Sequence, residues 1–364
     1  MSGNSGPLPP VAREIGRTVG RLRNGVRYAA GAQFAPIGPT PSRVIWREGK
    51  AELRHYSGRG FGPPPRLGPP VVVLGGLVGR SYIFDLHEGN SFVRRMLDAG
   101  FDTFVLDWGS PDADDSANTL ETYLARYFPR ALQAARRESG AREVSVIGYC
   151  MGGTMSLHAL AANPSLPVRN LVLIATPVDF RHLGAMVDAV AERRLDVASV
   201  LDQDGNVPAS LIAAFFSVMK PTAPVVKYAN LLQNLWNEEY LRGYQALNRC
   251  FEQHSPLPGA AFLQIAQQWM QDNAFISDAL RLDGRPVHLA DIENPVLIVT
   301  GDRDELVPEG ATAPLADLLT GTKPELLILS AGHASLTAGR TAAKHTVPRI
   351  LEWLADHSVT LNPG

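Results

Sequence analysis

A chain of 364 residues, 45% hydrophobic and 19% charged, has the balance of a globular protein and room for one large α/β domain with an insertion, or for two domains. A net charge of −2 gives no field to recruit nucleic acid, and no apolar run reaches the ~18–20 residues needed to cross a bilayer, so neither partner is expected. The two cysteines, Cys150 and Cys250, lie far apart without metal-ligand spacing; with no secretory signal, they point to a reducing cytoplasmic compartment and to no metal site.

Val11, Ile15, Val19, Leu22 and Val26 recur at helical spacing, while Arg13, Arg17 and Arg21 repeat every four residues, followed by Arg23 and Arg27. Residues 1–40 therefore read as a basic amphipathic arm. Two outcomes stay open: the helix lies on an anionic or apolar surface, or it packs on its own domain with the arginines in water. Short alternating runs around Val44–Trp46 and Glu52–Tyr56 predict an edge hairpin across Gly49-Lys50. Gly58 to Pro70 is rich in Gly and Pro and reads as loop.

Strands and helices then alternate. Val71–Leu74, Asp102–Leu106, Val144–Ile147, Leu171–Ala175, Pro295–Thr300 and Glu325–Leu329 read as strands. Ser91–Ala99, Thr119–Arg137, the run from Thr154 to Ala162, and Ala342–Ala355 read as helices. Repeated units of this kind predict a mostly parallel sheet with helices on both faces. The alternation stops between Phe180 and Arg285, where helical patterns such as Leu211–Met219 and Phe262–Met270 sit between Pro/Gly turns. The expected organisation is an arm (1–40), a first part of the core (41–179), a mainly helical cap or lid (180–285) and a second part of the core (286–364).

Between the strand at Val144–Ile147 and the helix after it stands Gly148-Tyr149-Cys150-Met151-Gly152-Gly153. Strand, tight G-x-C-x-G turn and helix form the layout of the nucleophile elbow of α/β-hydrolases, with cysteine in place of serine. Gly148 and Gly152 let the flanking backbones approach where a Cβ would clash, and Gly153 continues the small-residue run. The helix's free N–H groups face the sulfur, an arrangement that favours a thiolate. Taken alone, the motif also fits a buried structural cysteine. Cys250 falls in the cap and reads as an ordinary buried thiol.

A thiol nucleophile needs a base, and the base needs an orienting carboxylate; in α/β-hydrolases they follow the nucleophile in the order acid, then histidine. After the strand Pro295–Thr300 comes Gly301-Asp302-Arg303-Asp304-Glu305-Leu306-Val307-Pro308, which offers Asp304 as the acid and Asp302 as a turn or salt-bridge residue. After Glu325–Leu329 comes Ser330-Ala331-Gly332-His333-Ala334, a small-residue loop leaving the last strand, where the base belongs. His158 and His345 fall within helices and suit packing or surface roles. Cys150, Asp304 and His333 are thus the candidate triad.

The oxyanion of acyl transfer needs two aimed donors. The N–H of Met151 is one candidate; Leu77, in the loop Gly75–Arg80 after the first parallel strand, supplies the other. That loop contains neither phosphate-loop nor dinucleotide spacing, so no such cofactor is expected. A thiol suits a thioester donor such as an acyl-CoA, because exchange between thioesters is nearly balanced and keeps the acyl group reactive toward a hydroxyl. Water as acceptor would make the same site a hydrolase of thioesters, esters or lactones.

These motifs resemble the polyhydroxyalkanoate synthases, above all their short class III catalytic subunits. Gly148–Gly153 carries the G-Y-C-M-G-G signature, and Gly76–Tyr82 is similar to the A-L-V-N-R-P-Y loop. Asp107–Asp112 matches D-W-G-x-P-D, Asp304–Pro308 resembles the acid motif, and Ala331–His333 resembles G-G-H. Gly79, Ser81, Ala331 and Ala334-Ser335 depart from the family pattern around the site. The resemblance spans about Val71 to Leu354 and implies an α/β-hydrolase fold that polymerises 3-hydroxyacyl-CoA into polyester with CoA released. It further implies a homodimer or an accessory synthase subunit, and a granule surface that the arm at Arg13–Arg27 would touch. The dienelactone hydrolases share G-x-C-x-G but are shorter and lack so large a cap. A catalytically silent granule-binding protein is the remaining reading.

Overall fold

The run Val71-Val72-Val73-Leu74 lies inside a nine-stranded sheet and has no exposed side chain. The strands on either side of it are buried along nearly their whole length, and residues buried on both faces are what a parallel sheet selects. The computed structural model describes residues 10–361 apart from 33, 35, 57–64 and 220–222. Residues 1–9 of the expected arm and 58–64 of the expected loop lie outside the described residues, as do the side chains of Val11 and Arg13.

The strands are β1 (Arg43–Glu48), β2 (Ala51–His55), β3 (Leu67–Leu74), β4 (Phe101–Asp107), β5 (Val144–Tyr149), β6 (Val168–Ile174), β7 (Val296–Gly301), β8 (Glu325–Leu329) and β9 (Val359–Thr360). They lie in the order β1-β2-β4-β3-β5-β6-β7-β8, with β9 antiparallel to the start of β3. The β1–β2 hairpin joins β4 antiparallel, and from β4 to β8 every neighbour is parallel. Leu67–Pro70 is a correction to the sequence reading: these residues begin β3 rather than end a loop. Pro69 and Pro70 have no N–H to give, so the ladder to β4 shifts register between Leu67 and Val71.

The α-helices of six or more residues are α1 (Pro10–Ala29), α2 (Phe92–Ala99), α3 (Phe128–Ser139), α4 (Met151–Ala162), α5 (Ala185–Ala191), α6 (Ala209–Met219), α7 (Ala223–Asn234), α8 (Glu238–Glu252), α9 (Gly259–Gln264) and α10 (Val347–Asp356). Leucines and alanines of α3 and α4 cover one face of the sheet, together with Val72 and Leu74. Phe92 and Met96 of α2, with Ile350 and Leu354 of α10, cover the other, together with Val71 and Val73. Full burial of each such side chain contributes roughly 1.5–3 kcal/mol, which fixes the register and with it the position of every loop at the strand ends.

Among the described residues between Phe180 and Arg285, no strand joins the main sheet; α5 to α9 fill this stretch. Two short pairings unforeseen from sequence occur there, Asn206–Val207 with Leu257–Pro258 and Arg281–Leu282 with Arg285–Pro286. The stretch is tied down over the core: the Ser255 N–H donates to the Val78 carbonyl at 3.1 Å, and the Tyr82 hydroxyl meets Gln253 Oε1 at 2.8 Å.

The arm follows neither of the two outcomes cleanly. One face of α1 packs on the α7–α8 turn, where Asn24 is fully buried and donates to the Leu235 carbonyl at 2.8 Å. Arg27 pairs with Glu238 at 2.9 Å, and Arg17 lies 4.7 Å over the Trp236 ring. Arg17, Arg23 and Arg27 touch the cap yet keep 41–62% of their side chains exposed, so the arginines stay in water while a guanidinium also finds carboxylate and aromatic partners there. Ile15, Val19, Leu22 and Val26 face outward instead, each 60–75% exposed.

Candidate active site

β5 ends at Tyr149 and α4 begins at Met151, so Cys150 alone makes the turn, with φ of 56° and ψ of −129°. A non-glycine residue in this region is strained, and strain of this kind is what lifts a nucleophile off the end of a strand. The neighbours must be small. A Cβ on Gly148 would stand 2.5 Å from the Gly153 Cα, and one on Gly152 would stand 2.6 Å from the carbonyl carbon of Gly75. A Cβ on Gly153 would run into the Thr176 hydroxyl at a closer distance still. The Cys150 N–H donates to the Ile174 carbonyl at 2.8 Å, which locks the elbow to β6.

β7 delivers Asp304 and β8 delivers His333 to the same edge of the sheet. His333 Nδ1 and Asp304 Oδ2 are 2.7 Å apart, and both side chains are buried. Asp304 Oδ1 accepts from the N–H groups of Leu306 and Val307, each at 2.9 Å, so the carboxylate is held at both oxygens. Ser335 Oγ accepts from the Gly332 N–H at 2.9 Å and steadies the histidine loop, while the Tyr149 hydroxyl donates to the His333 carbonyl at 3.3 Å. Burial opposes an imidazolium here, but the facing Cys150 sulfur and the Asp304 hydrogen bond outweigh it and push His333 up to about 9. Asp302 sits apart, exposed, accepting from Ser330 Oγ at 3.1 Å. His158 is buried in α4 among aromatic rings, and His345 is exposed.

Cys150 and His333 share a cavity of about 120 Å³. Met151 lines it, and among the described residues no group accepts from the Met151 N–H, as the first turn of a helix leaves it. Leu77 has its side chain in the core, and its N–H likewise meets no described acceptor. The loop holding Leu77 is anchored by Trp108 Nε1, which donates to the Gly75 carbonyl at 2.8 Å.

Sequence reasoning missed the far wall. Phe216, Cys250 and His254 come from the cap to line the same cavity, with the His254 ring stacked on Phe216 at 4.9 Å. Cys250 is a buried thiol, pushed up to about 12 by burial, yet it also forms part of this wall. No local motif marks these residues; only the return of the cap over the elbow brings them in. Among the described residues no cluster of three or more His, Cys, Asp or Glu could hold a metal ion, and no helix is long and apolar enough to cross a membrane.

The strand order and the placement of sulfur, carboxylate and imidazole at the strand ends define the class of protein: the α/β hydrolase fold, whose family pattern matches residues 69–337. A thermophilic esterase from Thermogutta terrifontis shares that fold, with a TM-score of 0.51 and 16% identity over 87% of this chain and 99% of that one. In sequence, the chain is 32% identical over 328 residues to the poly(3-hydroxyalkanoate) polymerase subunit PhaC of Haloarcula marismortui, covering 88% of this chain and 69% of that protein. It is 30% identical over 335 residues to the same subunit of Allochromatium vinosum, covering 92% and 94%. The chain therefore belongs to the poly(3-hydroxyalkanoate) polymerase family and is an acyltransferase.

Proposed function

We propose that this chain polymerises 3-hydroxyacyl groups from acyl-CoA into polyester with release of CoA, using Cys150, His333 and Asp304. The observation that carries the reading is the Asp304–His333 pair, 2.7 Å apart, facing a cysteine on a strained elbow. The Cys150 thiolate attacks the thioester carbonyl, and the departing CoA sulfur takes the proton from the His333 imidazolium. His333, neutral again, then removes the proton of the 3-hydroxyl of an incoming 3-hydroxyacyl-CoA, which attacks the enzyme thioester; Cys150 leaves as thiolate beside the His333 imidazolium, and the lengthened chain, now a CoA thioester, returns to Cys150 by the first step with release of CoA. Asp304 holds the imidazole in the tautomer that presents Nε2 to the sulfur. The N–H groups of Met151 and Leu77 receive the oxyanion. Acyl-CoA is substrate in this scheme, which calls on no cofactor.

The relatives named as polymerases favour a hydroxyl over water as acceptor, and the cap over the cavity supports the same choice by limiting water. The functional unit is a homodimer or a complex with an accessory synthase subunit, working in the cytoplasm at a granule surface. The outward apolar stripe of α1 supports that last point, since the polyester product is itself apolar.

Incubation with 3-hydroxybutyryl-CoA, following free CoA and product, tests the reading. Polymer with stoichiometric CoA is expected. Free 3-hydroxybutyrate would make the chain a hydrolase, and full turnover by Cys150→Ala would end the proposed chemistry.

A further inference from the structure

The cavity beside Cys150 is mostly apolar, walled by Ile83, Leu106, Phe216 and Cys250, yet Arg80 also lines it. Its guanidinium is under-used. Nη1 reaches Ser255 Oγ at 3.3 Å, a long contact, and Nε is buried with no hydrogen-bond partner. Among the described residues, no carboxylate lies within 4.0 Å of Arg80. The one acidic residue in the wall, Asp107, is committed elsewhere: its oxygens accept from Ser81 Oγ and from the Gly109 N–H. A buried guanidinium donor without an acceptor is costly, and such an exception in a folded protein needs an explanation, a bound partner being one that the cavity beside Arg80 has room for.

The partner must be an oxygen on the acyl group. The diphosphate of CoA is a full pantetheine arm away from the thioester and cannot enter a cavity of about 120 Å³ that already serves the attacking sulfur. In the proposed chemistry the thioester carbonyl goes to the Met151 and Leu77 N–H groups. What remains on a 3-hydroxyacyl unit is the oxygen at C3, as hydroxyl in the monomer or as ester oxygen in the chain. We infer that Arg80 is a specificity-determining residue that donates to this C3 oxygen, selecting 3-oxygenated acyl thioesters over plain acyl thioesters. The 3-oxygenated unit brings the acceptor that Arg80 lacks and the plain acyl analogue does not, so the two thioesters differ by that one charge-assisted hydrogen bond.

The inference rests on Cys150 as the acyl acceptor. The test is single-turnover release of CoA from 3-hydroxybutyryl-CoA and from butyryl-CoA, by the wild-type chain, Arg80→Met and Arg80→Lys. Wild type is expected to favour the hydroxyacyl thioester, and Arg80→Met to reduce that preference roughly 10- to 100-fold, the span for a hydrogen bond to a charged group. Butyryl-CoA should react at the wild-type rate within about threefold. Arg80→Lys, which keeps the charge, should restore part of the preference. Should Arg80→Met fail to fold, Arg80→Lys still reads the ratio. An unchanged preference in the folded variants, or an equal loss on both thioesters, overturns the inference; the latter would make Arg80 an anchor of the cap. Failure of wild type to release CoA from either thioester would instead count against the proposed function.

Discussion

The Cys150 sulfur and one carboxylate together set the protonation of the site. Asp304 is buried, accepts two backbone N–H groups at one oxygen and meets His333 at the other. Asp304→Asn keeps that shape and removes the charge, so it is expected to lower kcat by roughly 10²- to 10⁴-fold with little loss of stability. The His333 imidazole, which burial opposes but the Cys150 sulfur and the Asp304 hydrogen bond push up to about 9, should move down in the same variant, as NMR of the ring protons would show. Gly152→Ala attacks the geometry instead. Its new Cβ would meet the carbonyl carbon of Gly75 at 2.6 Å and the Leu74 oxygen at 2.7 Å, both backbone. An expected cost of about 1–3 kcal/mol in chemical denaturation should accompany loss of acyl transfer, because the displaced loop carries the Leu77 N–H. These residues were legible because each sits on a strand end beside its own punctuation, glycine at Gly148 and Gly152, or a small-residue loop at Ala331-Gly332. Phe216, Cys250 and His254 were not, since their helical surroundings give no sign of what they face.

At the level of elements, periodicity told which segments were helical but not which face would be covered. The stripe of α1 is correctly spaced, yet the face that packs is the one with Gly20, Asn24 and Arg27, because Gly20 admits the Trp236 backbone and Asn24 finds the Leu235 carbonyl. An apolar stripe left outward while a polar face packs is the reverse of a helix that covers its own core. Val19→Ser with Leu22→Ser should therefore leave unfolding free energy within about 0.5 kcal/mol. The same variant should shed most of its binding to isolated polyester granules in a sedimentation assay; undiminished binding would remove the arm from that role. Asn24→Ala should do the opposite, loosening the arm from the cap by leaving a buried carbonyl unmatched. The start of β3 escaped the sequence for a different reason: prolines announce loops, and it is pairing with distant segments, Leu67 with Phe101 of β4 and Leu67 and Gly68 with β9, that keeps these residues in the sheet.

Across the whole molecule, two buried histidines pull stability in opposite directions with pH. His158 is fully buried between Trp269 and Phe275, and burial lowers it from 6.5 to about 4. The Arg281 carbonyl stands near it and opposes the shift, but no bond of good geometry forms, and both ring nitrogens lack partners. The neutral ring is the one the fold accepts. Below pH 6.5 the unfolded chain takes up a proton that the folded chain refuses, so stability falls toward pH 4, by on the order of 3 kcal/mol. His333 has the opposite sign: held as imidazolium to about 9, it contributes stability that is complete below 6.5 and lost as pH rises through 9. Urea denaturation at pH 4.5, 6.5 and 8.5 should find the midpoint highest at 6.5. His158→Leu replaces two unpartnered nitrogens with an apolar side chain in an apolar site, and is expected to flatten the acid limb while leaving the alkaline limb in place. An acid limb of unchanged depth in that variant would move its origin from the aromatic cluster beneath α4 to the carboxylates of the surface.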